Sequence, residues 1–169
     1  MRFGIILVFI FQGYLFSQSL PEKFRSADVF ALELTGRANE MVTQINQLIP
    51  WEQKEFALSA AYEQGQNANA LAADCSLAAE LLQGLLEDLR DCAIAQKLLA
   101  ESQGHYKSAG VFFKYVAEDW QKVRESKNKK QYVTESEAAQ ESTLSAQVKI
   151  QDAQQSLENA FNAYKKGCF

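Results

Sequence analysis

The segment FRSADVFALELTGRANEMVTQINQL, residues 24–48, carries apolar side chains at alternating steps of three and four. This spacing places them on one stripe of an α-helix and is typical of coiled-coil seams. The stripe consists of Phe24, Ala27, Ala31, Leu34, Ala38, Met41, Ile45 and Leu48. Gly36 lies off the stripe and costs about 1 kcal/mol relative to Ala, which is too little to end a helix that buries such a stripe. The segment therefore predicts a long amphipathic helix.

The same kind of register continues from Trp51 to about Gln103. Its apolar positions are Ala57, Ala61, Ala68, Leu71, Cys75, Ala78, Leu82, Leu85, Leu89, Cys92 and Leu99. An unbroken helix of this length would extend for about 75 Å. A polar segment around Gly65 and a lone Gly84 are the places where it could break, and the pattern leaves its continuity there open.

Two further stripes follow Gly104, which we expect to end the second helix. The third stripe contains Tyr106, Ala109, Phe113, Val116, Trp120 and Val123, and the fourth contains Tyr132, Ala139, Ala146, Ile150, Ala153, Leu157, Ala160 and Tyr164. The two stripes differ in phase by two residues, and a straight helix cannot absorb that slip. A turn is therefore expected at 125–131, in addition to one at Pro50, where a helix can begin.

The composition agrees with a helical fold. The chain has 47% hydrophobic residues but only 2 Pro and 8 Gly, which are too few for the many turns of a β-sandwich or β-barrel. We therefore predict an all-α fold, an elongated antiparallel bundle of three or four long amphipathic helices with coiled-coil-like seams. Residues 20–169 are expected to form one domain.

Residues 1–19 have the pattern of a signal peptide. Arg2 provides a positive charge, residues 3–16 form an apolar stretch, and Ser17 and Ser19 are small residues of the kind that signal peptidase recognises. The apolar stretch is shorter than the roughly 20 residues that span a bilayer. We expect cleavage after Ser19 and a secreted mature protein with no stable membrane span, either extracellular or, in a bacterium, periplasmic.

Several classes of function lack their sequence signatures. A net charge of −4 argues against nucleic acid as the main partner, because that binding requires clustered Lys and Arg. The common nucleophile, phosphate-loop, zinc and calcium motifs are absent, and the chain has a single histidine, His105. The sequence therefore predicts a protein that is not an enzyme and has no catalytic residues, metal site or cofactor.

The three cysteines are the residues whose chemistry is most open. Cys75 and Cys92 lie on the apolar stripe of the second predicted helix, where a free cysteine behaves as a small buried hydrophobe. Along an unbroken helix they would be about 25 Å apart, whereas a disulfide needs Cα atoms within roughly 7 Å. Cys168 is the candidate for an intermolecular disulfide or for a fold-back disulfide to one of the other two.

Two functions are compatible with these features. The continuous stripes favour a secreted, non-enzymatic helical protein that binds a protein partner or its own copies, or that is a structural component. The alternative is a carrier of a small apolar, lipid-like ligand held within the bundle. In that case Tyr106, Phe113 and Trp120 are the candidate lining residues, although their helical spacing is equally that of core packing. The basic run from Lys122 to Lys130 is interpreted as a solvated turn between helices.

Overall fold

The computed structural model describes residues 19–45, 49–89 and 91–167, and within them four long helices account for most of the chain. Helix α1 spans Leu20–Ile45, α2 Lys54–Asp88, α3 Ala93–Arg124 and α4 Lys129–Lys165, and a short 3-10 turn at Trp51–Gln53 precedes α2. The predicted all-α bundle is confirmed, with four helices.

Contacts between successive helices show that neighbours run in opposite directions. Lys23 at the start of α1 pairs with Asp88 at the end of α2, and Gln44 near the end of α1 bonds Gln64 near the start of α2. The ring of Phe24 stacks on that of Phe161 near the end of α4, with 5.1 Å between centroids. The helices α1, α2, α3 and α4 therefore form a closed ring, with α1 and α3 at opposite corners.

Small residues let the helices approach closely. Four alanines recur every seven residues along the buried side of α4, namely Ala139, Ala146, Ala153 and Ala160. Opposite them, the buried Ser102 of α3 donates a hydrogen bond of 2.7 Å to the carbonyl oxygen of Ala153. A second set of small residues, Gly65, Ala72 and Ala79 of α2, faces α3. The large side chains that fill the remaining core include Phe24, Tyr106 and Phe113.

Two connections occur where the sequence predicts them. The α1–α2 connection contains Pro50, whose missing N–H suits the start of a helical turn. The α3–α4 connection lies at 125–128, and the Asn128 side chain accepts a hydrogen bond from the Gln131 backbone N–H to cap α4. Two side chains of α4 also stabilise the α1–α2 connection, since Tyr132 and Gln140 donate to the carbonyl oxygens of Ile49 and Ile45.

The predicted end of the second helix is wrong. Helix α2 is continuous through Gly65 and Gly84 but ends at Asp88, and α3 passes through Gly104 without a break. The turn contains Leu89 and Cys92, whose backbone N–H groups donate to the carbonyls of Leu85 and Leu89. Because both residues are buried, the apolar register runs through the turn without a change of spacing, and the pattern could not reveal it. A glycine within a helix costs only about 1 kcal/mol relative to alanine, so a glycine such as Gly84 or Gly104 does not end the helix that contains it.

Candidate functional site

The first cysteine, Cys75, lies in the centre of the bundle. It sits on α2, is completely buried, and is a free thiol. Burial raises the pKa of this thiol to about 12, with a further contribution from the nearby Asp74 carboxylate. A thiol that is both shielded and protonated reacts poorly, so Cys75 acts here as a small core residue.

The second cysteine, Cys92, immediately precedes α3 and is disulfide-bonded. It lies at the end of the bundle where α4 finishes, because the first turn of α1 contacts both Asp88 at the end of α2 and Tyr164 near the end of α4. The chain turn at 89–92 separates Cys92 from Cys75, so the two are not on one helix as predicted. The third cysteine, Cys168, lies outside the described residues, as do residues 1–18 of the predicted signal peptide.

The three candidate aromatic residues are packed in the core. Tyr106, Phe113 and Trp120 are all at least 95% buried on α3. The space bounded by Tyr106, Leu82 and Leu157 leaves no room for a water molecule. Burial raises the pKa of Tyr106, which is consistent with a dry environment. Tyr106 therefore borders no ligand-sized space at this point, and the burial of all three side chains is that of core residues.

A surface groove lies between α2 and α3. Its volume is about 360 Å³, and its lining includes the small residues Ala79 and Gly110. The charged side chains along it are Glu80 on α2 and Lys107 and Lys114 on α3. Val111 lies between the two lysines and is half-exposed. The groove therefore combines small and apolar groups with an excess of positive charge.

Large apolar side chains remain exposed on the outer faces of the helices. They are Val29 and Leu32 on α1, Phe56 and Tyr62 on α2, Ile94, Val111 and Tyr115 on α3, and Val133, Leu144 and Val148 on α4. Pairs of them are three or four residues apart and so adjoin on one helix face. Where such pairs adjoin, the exposed apolar surface of the helix is larger than that of a single side chain.

The basic run is largely engaged within the chain. Lys122 pairs with Asp119, Lys129 pairs with Glu52, and the Arg124 guanidinium lies over the ring of Tyr62. The hydrogen bond and charge of Asp119 raise the pKa of Lys122. Lys122 and Arg124 belong to the end of α3 and Lys129 and Lys130 to the start of α4, so only residues 125–128 of the run form the turn between helices.

Among the described residues, no group of three or more His, Cys, Asp or Glu side chains is arranged to hold a metal ion. Within the same residues, no helix combines the length and the hydropathy needed to cross a membrane. No protein-family model matches the chain, and no curated protein or solved structure matches it significantly.

The apolar stripes of the sequence do not predict the groove or the exposed apolar pairs, because they report only the faces that pack inward. A signal was present, because Lys107 and Lys114 are seven residues apart and so lie on one face of their helix. On α1, Glu33 and Glu40 show the same separation. Charges at heptad spacing outside an apolar stripe are typical of contacts that determine partner choice in coiled coils.

Proposed function

We propose that the chain acts, after export, as a non-enzymatic helical protein that presents its outer helix faces to a protein partner or to its own copies. The observation that carries this proposal is the exposure of large apolar side chains on outer faces, such as Leu144 and Val148 on α4, around a bundle whose core is already filled. A helix face that needs no further packing for folding remains available for binding.

The disulfide at Cys92 supports the exported location. Disulfides persist in oxidising compartments and are rare in the cytosol. Expression of the complete chain in a secreting host, followed by mass measurement of the protein in the medium, tests this part. We expect a mature protein that begins at Leu20. Retention in the cytosol with residues 1–19 still attached would contradict it.

Association is tested by sedimentation velocity and chemical cross-linking of the mature protein, alone and in the fluid from which it is isolated. We expect a concentration-dependent increase in mass or a reproducible cross-linked partner. Substitution of Leu144 and Val148 by Asp tests one outer face, and the same change at Asn69 and Ala73, exposed and four residues apart on α2, is the matched control. A protein that stays monomeric and partner-free in both settings would contradict the proposal.

The second candidate function is a carrier of a small apolar ligand. The α2–α3 groove is the observation in its favour, because its volume of about 360 Å³ lies within the range of small-molecule sites. The aromatic residues predicted to line the ligand site are not in this groove. Native mass spectrometry of gently purified protein tests the idea, and a mass equal to that of the polypeptide alone would argue against it.

A further inference from the structure

The α2–α3 groove presents two lysines one heptad apart. Lys107 and Lys114 are exposed, and neither is paired with a carboxylate in the described part of the chain. Seven residues of helix correspond to about 10.5 Å, so the two ammonium groups can address two carboxylates at the same separation. Val111, between them, is 49% exposed.

The outer face of α1 carries the complementary pattern. Glu33 and Glu40 are exposed, one heptad apart, and without an ion pair among the residues described. Gly36 lies between them, and a Cβ atom there would meet nothing within 4 Å. Val29 and Leu32 extend the same face with 60% and 52% of their surface exposed. This face, residues 29–40, offers two negative charges, an open space between them and adjacent apolar surface.

The spacing of the two patterns is equal. On α3, Val111 follows Lys107 by four residues and precedes Lys114 by three; on α1, Gly36 precedes Glu40 by four and follows Glu33 by three. We now place α3 of one molecule antiparallel to α1 of another. The two charged pairs are then Lys107 with Glu40 and Lys114 with Glu33. Between these pairs, Val111 faces Gly36. The valine side chain then occupies the space that the glycine leaves, as a knob enters a hole.

The two surfaces also lie at the same level of the bundle. Arg37, next to Gly36, pairs with Asp74 of α2. Cys75, next to Asp74, packs against Gly110 of α3, which precedes Val111. This level is close to the middle of the bundle, so two copies in contact through these surfaces have their ends aligned.

We infer that the outer face of α1 from a second copy of this chain occupies the α2–α3 groove, through Glu33 and Glu40 on Lys107 and Lys114. This inference rests on the proposed function and names the partner. Because α1 and α3 are at opposite corners, the first contact leaves the α1 face of one copy and the groove of the other copy free. Such a heterologous contact that does not close produces linear assemblies.

Reciprocal charge reversal tests the contact. One variant carries Lys107→Glu and Lys114→Glu, and the other carries Glu33→Lys and Glu40→Lys. Each variant alone opposes like charges, so we expect its association constant to fall roughly tenfold or more relative to the wild type. Mixed at equal concentrations, the two variants again oppose unlike charges and should assemble, as measured by sedimentation velocity at low salt.

Matched controls reverse two charges elsewhere. Lys127→Glu with Lys130→Glu, and Glu137→Lys with Glu141→Lys, alter exposed residues away from both surfaces and give the same net charges. We expect these controls to assemble like the wild type, and all variants to keep its circular dichroism spectrum, because the substituted side chains are exposed.

Four outcomes would overturn the inference. One is a mixture of the reversed variants that remains monomeric. A second is that each reversed variant, measured alone, associates as strongly as the wild type. A third is a monomeric wild type that binds oleate, together with loss of this binding in the variant that carries Lys107→Glu and Lys114→Glu. That result would assign the groove to an acidic amphiphile. A wild type that is monomeric but cross-links to another protein overturns the inference and leaves the proposed function intact.

Discussion

Gly110 of α3 lies so close to Ala72 of α2 that a Cβ atom on the glycine would be 3.3 Å from the alanine carbonyl oxygen. The backbones of the two helices therefore approach more closely than most side chains permit. Six residues earlier on the same helix, Gly104 has nothing within 4 Å of the corresponding position. The two glycines of α3 thus have different consequences for substitution, although the sequence around them looks similar.

Substitution Gly110→Val should destabilise the protein by about 1–3 kcal/mol, because the added methyl groups separate α2 from α3. Gly104→Ala is the matched substitution and should stabilise the protein by up to about 1 kcal/mol, since it improves helix propensity without a new contact. Urea unfolding followed by circular dichroism measures both changes. If both variants changed the free energy of unfolding in the same direction, the close α2–α3 contact would be wrong.

The buried thiol of Cys75 should make the protein sensitive to alkali. Its pKa in the folded protein is about 12, compared with an ordinary value of 9.0. Below about pH 9 the thiol is protonated in both the folded and the unfolded state. The stabilising contribution of the raised pKa to the free energy of unfolding is therefore fully present there. As the pH rises from 9 towards 12, only the unfolded chain loses the proton. The free energy of unfolding should therefore fall, by up to about 1.4 kcal/mol per pH unit.

Cys75→Ala tests this dependence. The variant should be less stable than the wild type at pH 7, because it leaves a small cavity, but its free energy of unfolding should fall less steeply between pH 9 and 10. Burial raises the pKa of Tyr106 in both proteins, but the Cys75 charge also contributes to that rise, so the comparison is made below the pH range in which Tyr106 titrates. Urea titrations at pH 7, 9 and 10 provide the comparison. Equal slopes for the two proteins would show that Cys75 is not the responsible group.

The three cysteines should differ in a non-reducing peptide map. Cys75 is free and Cys92 is disulfide-bonded. Since the chain contains only one other cysteine, we expect the peptide linked to Cys92 to contain Cys168. Cys75 should react with iodoacetamide only after denaturation, because it is completely buried. A linked pair that contains Cys75, or its rapid alkylation in the native protein, would contradict this assignment.

The sequence predicts the buried faces of this fold better than its turns. The stripe of α1, from Phe24 to Ile45, is buried as its spacing indicates, because a three-and-four repeat directly reports a helix face. The turn after Asp88 gives no such signal. Leu85, Leu89 and Cys92 are all buried around it, so the apolar spacing is the same as in a continuous helix.

The candidate site was less predictable, for a physical reason. Lys107 and Glu33 belong to segments far apart in the chain, and only the arrangement of the bundle shows that their surfaces lie at the same level. The groove itself exists because Ala79 and Gly110 are small where α2 and α3 meet. Helix spacing specifies which face of one helix is buried, but not which neighbour covers it or where two neighbours leave a gap.

The hydroxyl of Tyr132 provides a final test of the connection between α1 and α2. It donates a hydrogen bond of 2.8 Å to the carbonyl oxygen of Ile49, while its ring packs 5.4 Å from that of Trp51. Tyr132→Phe keeps the ring and removes the hydrogen bond, so it should destabilise the protein by about 1 kcal/mol. Tyr115→Phe, at an exposed tyrosine, is the control and should have little effect. Urea unfolding of the two variants measures the difference, and equal stability would mean that the hydrogen bond contributes nothing to holding the connection against α4.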